Sequence, residues 1–290
     1  LPIYRPARRA APTAGHAVTG VKARRPGPTT RVRVEEHRGD DVRRPEDRVL
    51  TEEPLEIRLA WPGAPARRVW TTLRTPGNDF ELAAGWVHHE GLGRPAGVAY
   101  CTDVELRPEQ EFNVVTVTLD AVPSRVPSQL DALSAGSAAC GVCGTDEVDE
   151  VLSRRPSLPW SGPLPSPELV RRLPDLMRPH QQLFERTGSA HAAGLFDAEG
   201  GLVAVREDVG RHNAVDKVVG SRVLAGAPSA ESVLVISGRA GFELVQKAVA
   251  SGIGALVAVG APTGLSVRLA AAGGLALYGW TKGDRTVRYA

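Results

Sequence analysis

Ser232-Val233-Leu234-Val235-Ile236-Ser237-Gly238-Arg239-Ala240-Gly241 sets the fold of this chain. A short apolar run of strand length ends in Ser-Gly-Arg, and helical periodicity begins at Phe242 and runs to Ser251. Runs this short and rich in β-branched residues read as strands buried on both faces. The alternation recurs through the C-terminal half. Strands are expected over His191–Phe196, Leu202–Arg206, Ser232–Ser237, Ala255–Val259 and Leu275–Trp280, and helices over Gly210–Leu224, Phe242–Ser251 and Pro262–Ala272. Asp197-Ala198-Glu199-Gly200-Gly201 reads as the turn between the first two strands. Strand and helix in alternation predict a largely parallel sheet covered on both faces.

In such a sheet, ligands bind where strands end and helices begin. Polar residues gather at those places. Arg206-Glu207-Asp208-Val209-Gly210-Arg211-His212-Asn213 stands between one strand and one helix, and Ser237-Gly238-Arg239-Ala240-Gly241 between another pair. Amides at a helix N-terminus and the guanidinium fork of arginine suit phosphate. Neither stretch matches the glycine fingerprint of dinucleotide folds or the lysine-containing phosphate loop. For either stretch alone, capping and ion pairing would be explanation enough; two at corresponding places favour a nucleotide-like ligand.

Upstream, prolines recur from Pro156 to Pro167 and mark a linker or long surface loop, after which Ser166-Pro167 opens a helix in the favoured cap-then-proline order. Pro174 and Pro179 are expected to interrupt or restart that helix. Further back, Leu55–Leu59 and Arg68–Leu73 alternate as half-buried strands, and Pro76-Gly77 ends the second. Asn78 with Glu81 reads as a capping box for a helix from Asp79 to about Glu90. Two more strands, Val98–Leu106 and Phe112–Leu119, complete a small α+β unit, with Cys101 expected as a packed core thiol. Residues 1–47 show no apolar periodicity, and residues 1–33 hold eight Arg and Lys and no acid. A solvated basic arm is expected there, with folded structure from about Arg48. The division is therefore 1–47, 48–135 and 136–290.

Ala139-Cys140-Gly141-Val142-Cys143-Gly144 opens the larger unit with two of the chain's three cysteines. Thr145 then reads as the cap of a helix, whose unpaired amides favour thiolate, while Asp146 and Glu147 oppose it. Three chemistries use such a pair. Structural zinc needs four ligands, and no second close pair exists. Thioredoxin-like exchange expects the motif after the first strand of a βαβ unit. Sulfur transfer needs one cysteine to carry a terminal sulfur and its neighbour to help release it. Spacing alone does not rank the last two. Few cysteines, no secretion signal at the start and no long apolar run point to a cytoplasmic chain without a membrane span. A net charge of +2 gives no case for nucleic acid.

Ser137-Ala138-Ala139-Cys140-Gly141-Val142-Cys143-Gly144 resembles the signature of the FdhD/NarQ family, the formate dehydrogenase accessory sulfurtransferases. Also similar are Thr75-Pro76-Gly77-Asn78-Asp79, Thr187-Gly188 with His191-Ala192-Ala193, Arg206 to Ala214 with Asp216-Lys217, and Ser237-Gly238-Arg239 with Phe242-Glu243. The resemblance spans roughly residues 48–290 in order. It implies a cytidine-deaminase-like three-layer α/β domain with a mostly parallel sheet, beside a smaller N-terminal α+β domain, commonly as a homodimer. A cysteine desulfurase would load sulfur on Cys140 as a persulfide, with Cys143 as its helper. The sulfur would then pass to the bis-molybdopterin guanine dinucleotide molybdenum cofactor before insertion into formate dehydrogenase. Cofactor binding would map to His191, Asp208, Gly210, Arg211, His212, Asn213, Ser237, Gly238, Arg239 and Trp280-Thr281-Lys282-Gly283-Asp284-Arg285, with GDP as a partial analogue. Ser189 departs from the pattern where a second glycine is frequent. The zinc signature of deaminases is missing, since Ala193 stands two positions after His191 where His-x-Glu needs a glutamate, and Ala139 precedes Cys140; no metal is expected. A non-catalytic chaperone that only binds cofactor and enzyme is the alternative, and it needs no thiol.

Overall fold

The computed structural model describes residues 25–101, 112–126, 148, 151–153 and 158–290. Strand pairing begins at Thr29, well before the Arg48 expected from sequence. β1 (Thr29–Arg33) pairs antiparallel with β4 (Glu46–Leu50), and β2 (Glu36–Arg38) with β3 (Asp41–Arg43). These ribbons expose most of both faces, so they carry no apolar alternation for a sequence reading to find. Their partners are backbone groups and short-range charges, such as Arg44 Nε to Glu35 Oε2 at 3.1 Å.

Residues 53–119 contain a four-stranded sheet in the order β6-β5-β8-β7, formed by β5 (Glu53–Trp61), β6 (Ala64–Arg74), β7 (Pro95–Tyr100) and β8 (Val114–Leu119). Helix α1 (Asp79–His89) packs Leu82, Trp86 and Val87 on Leu55, Ile57, Leu59, Val115 and Val117. Trp70 and Trp86 stack with centroids 5.0 Å apart. Two expectations are corrected here. The capping box does not form: Asn78 is left-handed (φ 56°) and makes no side-chain cap, while Glu81 turns to Arg206, 2.7 Å from its Nη2. A left-handed residue cannot aim its side chain at the third amide of the helix as an extended cap does. Cys101 lies just past the end of β7, half-buried, with its Sγ 3.7 Å from Arg58 Nη1. It faces a guanidinium, not the core.

The C-terminal half forms a six-stranded sheet in the order β10-β9-β11-β12-β13-β14. Its strands are β9 (His191–Phe196), β10 (Leu202–Asp208), β11 (Val233–Ile236), β12 (Ala255–Ala258), β13 (Ala276–Lys282) and β14 (Arg285–Arg288). Of its pairings only β11–β12 and β12–β13 are parallel, while β10–β9, β9–β11 and β13–β14 are antiparallel, so the sheet is mixed and the expected mostly parallel sheet is corrected. Tight turns force the antiparallel edges. Asp197 Oδ1 accepts the N–H groups of Glu199 and Gly201 and folds β9 back on β10. Left-handed Gly283 (φ 61°) does the same between β13 and β14.

Helices cover both faces, as the apolar runs require. On one side α4 (Arg211–Leu224), α5 (Phe242–Ala250) and α6 (Gly264–Gly273) bury Val215, Val218, Leu244, Val245 and Leu269 against Leu234, Ile236, Leu256 and Leu277. On the other, α2 (Pro167–Met177) places Val170, Leu173 and Met177 on Phe196, Val233, Val235 and Val257. Ser166 caps α2 as expected, accepting Leu169 N–H at 3.2 Å. Pro174 does not end the helix, which continues to Met177. The short α3 (Gln182–Thr187) follows, its first amides held by the Glu207 carboxylate at 2.8 Å.

The two sheets meet through a crossing of α1 and α4 that only glycine permits. A Cβ on Gly85 would lie 1.9 Å from Asp216 O, and one on Gly220 1.8 Å from Glu81 O.

Candidate functional site

β9 and β10 bring His191 and Asp208 side by side in the ladder. Next to His191, β11 ends at Ile236 and the chain turns through Ser237 and Gly238. Ser237 Oγ accepts the Ala192 N–H at 2.9 Å and lies 3.3 Å from His191 Nδ1. Gly238 faces this corner: a Cβ there would be in ordinary contact with Arg211 Cδ and His191 Nδ1, both at 3.7 Å. Arg211 is the first residue of α4, and Phe242 the first of α5. Their first turns are tied by His212 Nε2 and Glu243 Oε2 at 2.9 Å. The hydrogen bond from His212 holds the Glu243 carboxyl below its usual value, against the effect of burial. Burial, then the charges of Arg211 and His212, lower the affinity of His191 for a proton, with Asp208 opposing.

Backbone bonds carry this corner along the sheet edge. Gly260 N–H donates to Gly238 O at 2.9 Å, and Trp280 N–H to Gly260 O at 3.1 Å. Arg239 lies across Gly260, where a Cβ would be 2.9 Å from its Cγ. Trp280 is left-handed (φ 54°), leaves 47% of its surface exposed, and sits under Arg285, whose guanidinium is 5.6 Å from the ring centroid. A left-handed tryptophan is a strained arrangement that presents an aromatic face beside a cation. Thr281 is buried and hydrogen-bonds Thr286, while Lys282, Gly283 and Asp284 form the exposed hairpin end. The structure thus gathers His191, Arg211, His212, Ser237, Gly238 and Arg239 and joins them through Gly260 to Trp280. Such a strip, with two helix starts and arginines, can hold phosphoryl groups and stack a flat ring.

Asp208 and Asn213 stand apart from that strip. Asp208 is fully buried and receives Lys217 Nζ at 2.7 Å, Thr75 N–H at 3.1 Å and Gly210 N–H at 2.8 Å. Asn213 Nδ2 donates to Asp208 and to Leu73 O, and Thr72 donates to its Oδ1. These side chains, with the Gly210 amide, fasten the end of β6 to the start of α4. Their clustering in sequence with Arg211 and His212 conceals a division of labour that only the direction of each side chain reveals.

Asp216 joins residues absent from the sequence reading in a second buried joint. Asp216 Oδ1 meets His89 Nδ1 at 2.6 Å and also Lys247 Nζ, and His89 Nε2 lies 2.9 Å from Ser251 Oγ. Asp216-Lys217 was visible as a motif pair, but His89 and Ser251 lie far away in sequence and carried no local signal. Cys140 and Cys143 lie outside the described residues, as does the 135/136 boundary; of the helix expected after them, Val148 and the stretch 151–153 are described and are helical. Among the described residues no cluster of His, Cys, Asp and Glu is placed to hold a metal, and no helix is long and apolar enough to cross a membrane.

Comparison with known proteins places this geometry in a lineage. The sequence model described as the FdhD/NarQ family matches residues 50–290. The sulfur carrier protein FdhD of Streptomyces coelicolor is 45% identical over 253 residues, covering 84% of this chain and 87% of that protein. Its counterpart in Corynebacterium efficiens is 40% identical over 254 residues, covering 84% and 89%. A crystal structure from Desulfotalea psychrophila, of a protein named for a formate dehydrogenase accessory role, superposes with a TM-score of 0.68 at 21% identity, covering 90% of this chain and 97% of that one. That likeness concerns the fold. Family match and identity together establish that the chain belongs to the FdhD/NarQ family.

Proposed function

We propose that this chain is a sulfur carrier for formate dehydrogenase maturation. In this reading Cys140 receives sulfur from a cysteine desulfurase and passes it to the bis-molybdopterin guanine dinucleotide cofactor before the cofactor enters formate dehydrogenase. Relatives named as sulfur carriers support it, and so does the Cys140-x-x-Cys143 pair. The structural observation that carries it is the strip from His191 and Arg211 to Trp280, which offers phosphoryl and aromatic contacts suited to a guanine nucleotide. The larger unit would then have the cytidine-deaminase-like layering of the resemblance, and the carrier would work as a cytoplasmic homodimer.

The chemistry asks for a thiolate at each step. Cys140 attacks the outer sulfur of the donor persulfide; that S–S bond breaks, the donor leaves as thiolate, and Cys140 holds the persulfide. Cys143 can then attack the inner sulfur, forming a Cys140–Cys143 disulfide and releasing hydrosulfide, and a cellular dithiol must reduce the disulfide afterwards. Within the strip, Arg211, Arg239 and the helix starts would bind phosphates, and Trp280 would stack on the base.

Intact mass after incubation with a desulfurase and cysteine tests the carrier step. One added sulfur, about 32 Da and removed by reductant, is expected on the wild type and on Cys143→Ala, with a longer-lived adduct in the latter. Cys140→Ala should not load and should leave formate dehydrogenase inactive. Full activity with both cysteines replaced would discard covalent transfer in favour of a cofactor-binding chaperone.

A further inference from the structure

The ribbon of β1 and β4 touches both of the larger sheets' units. It is closed at its base, where Thr51 N–H donates to Pro28 O at 3.0 Å and Thr51 Oγ1 hydrogen-bonds Thr30 Oγ1 at 2.8 Å. At one end the Arg25 guanidinium stands 5.4 Å from the centroid of the Tyr100 ring, in the four-stranded unit. Tyr100 in turn donates to Asp79 Oδ2 at 2.7 Å, at the start of α1. Farther along, β4 lies against α3 of the six-stranded unit. Pro26 and Pro28 stiffen the crossing, because a chain with fixed φ loses less entropy when it is ordered.

Under the ribbon is a cavity of about 370 Å³. Arg25 and Pro28 line it together with Thr75, Leu183, Glu207 and Lys217. The last four carry the bonds of the seam between the units. Lys217 Nζ donates to Thr75 O at 2.8 Å and pairs with Asp208, Thr75 N–H donates to Asp208, and the Glu207 carboxylate holds the first amides of α3. With the ribbon in place Thr75 and Lys217 are each only 1% exposed. Hydrogen bonds to charged groups are strong while water is kept away and weaken once it competes.

We propose that residues 25–51 form a strap that locks this seam, and that its release opens the cavity and wets the Asp208–Lys217 pair. The ribbon buries little apolar surface of its own, so it opens more readily than either core. Release frees the α3 end of the seam, while the crossing of α1 and α4 at Gly85 and Gly220 stays closed.

Hydrogen exchange in the full-length chain, wild type and Thr51→Pro, tests the lock. Proline at this position lacks both the N–H that Pro28 accepts and the hydroxyl that Thr30 meets. Leu50 before it is already extended, as a residue ahead of proline prefers. In the variant the amides of Thr75, Leu183 and Phe184 should exchange about tenfold faster or more, as in a sub-global opening. Those of Val235 and Val257, in the β11–β12 ladder, should keep their rates. Unchanged rates at the three seam amides overturn the proposal. Equal acceleration at Val235 and Val257 overturns it as well, because the whole fold would then have been weakened. Should the variant not fold, the wild type in graded urea decides. The amides of Val34 and Thr51 in the strap must open in one step with those of Leu183 and Phe184; opening at lower urea would show that the strap locks nothing.

Discussion

Gly220 of α4 lies against the backbone of Glu81 in α1 so closely that a Cβ at residue 220 would stand 1.8 Å from the Glu81 carbonyl oxygen and 2.7 Å from Gly85 N. Backbone, unlike a flexible side chain, cannot step aside. Gly220→Ala should therefore push the two helices apart and cost about 3 kcal/mol or more, at or beyond the upper end of ordinary overpacking. Urea unfolding would show it, and an unchanged midpoint would mean that the helices do not cross at this distance.

Lys217 and Asp208 form an ion pair with both side chains buried, 2.7 Å apart. Removing one partner leaves an uncompensated charge, which costs about 3–5 kcal/mol in buried pairs. Lys217→Met should approach that loss, softened by the amides of Thr75 and Gly210 that still reach Asp208. Chemical denaturation monitored by tryptophan fluorescence measures it. A change under about 1 kcal/mol would show that the pair is not buried as described.

Acid should loosen the joint between α1 and α4. Burial lowers the pKa of His88 to about 3 and depresses that of His89 as well. Both histidines are thus neutral in the folded chain, whereas the unfolded chain binds protons below about pH 6.5. The stability they permit is complete above that value and is lost as pH falls below it, for His88 down to about 3, by up to about 1.4 kcal/mol per pH unit for each. Denaturation midpoints between pH 7.5 and 5 should fall accordingly, and His88→Gln should flatten the slope. A pH-independent midpoint in the wild type would contradict neutral burial.

Arg239 should contribute directly to nucleotide affinity. Losing a charge-assisted contact is worth about 1.5–3 kcal/mol, so Arg239→Ala should weaken GDP binding about tenfold or more. Calorimetry at fixed salt provides the comparison, and equal affinity would remove Arg239 from the site.

Much of the fold was legible because its signals are local. The Val233–Ile236 and Ala255–Ala258 runs, the Ser166-Pro167 cap and the Asp197–Gly201 turn depend on neighbours in sequence, and the structure has an element at each. Strand direction was not legible, because an apolar run looks the same whichever way its partner runs. The hairpins before Arg48 were missed since solvent on both faces leaves no periodicity.

For the candidate site, sequence alone determined which residue types gather at strand ends: Arg206 to Asn213, Ser237 to Arg239 and the Trp280–Arg285 turn. Tertiary structure decided which of them face outward. Asp208 and Asn213 turn inward because the end of β6 brings amides and a carbonyl that need partners, while the side chains of His191 and Arg211 converge beside Gly238. It also decided that Asn78 caps nothing, that Glu81 answers Arg206, and that His89 meets Asp216. Each of these joins residues more than a hundred positions apart or hangs on one backbone angle. Burial makes their partners obligatory, since a buried polar group must find one, yet nothing in the local sequence says which.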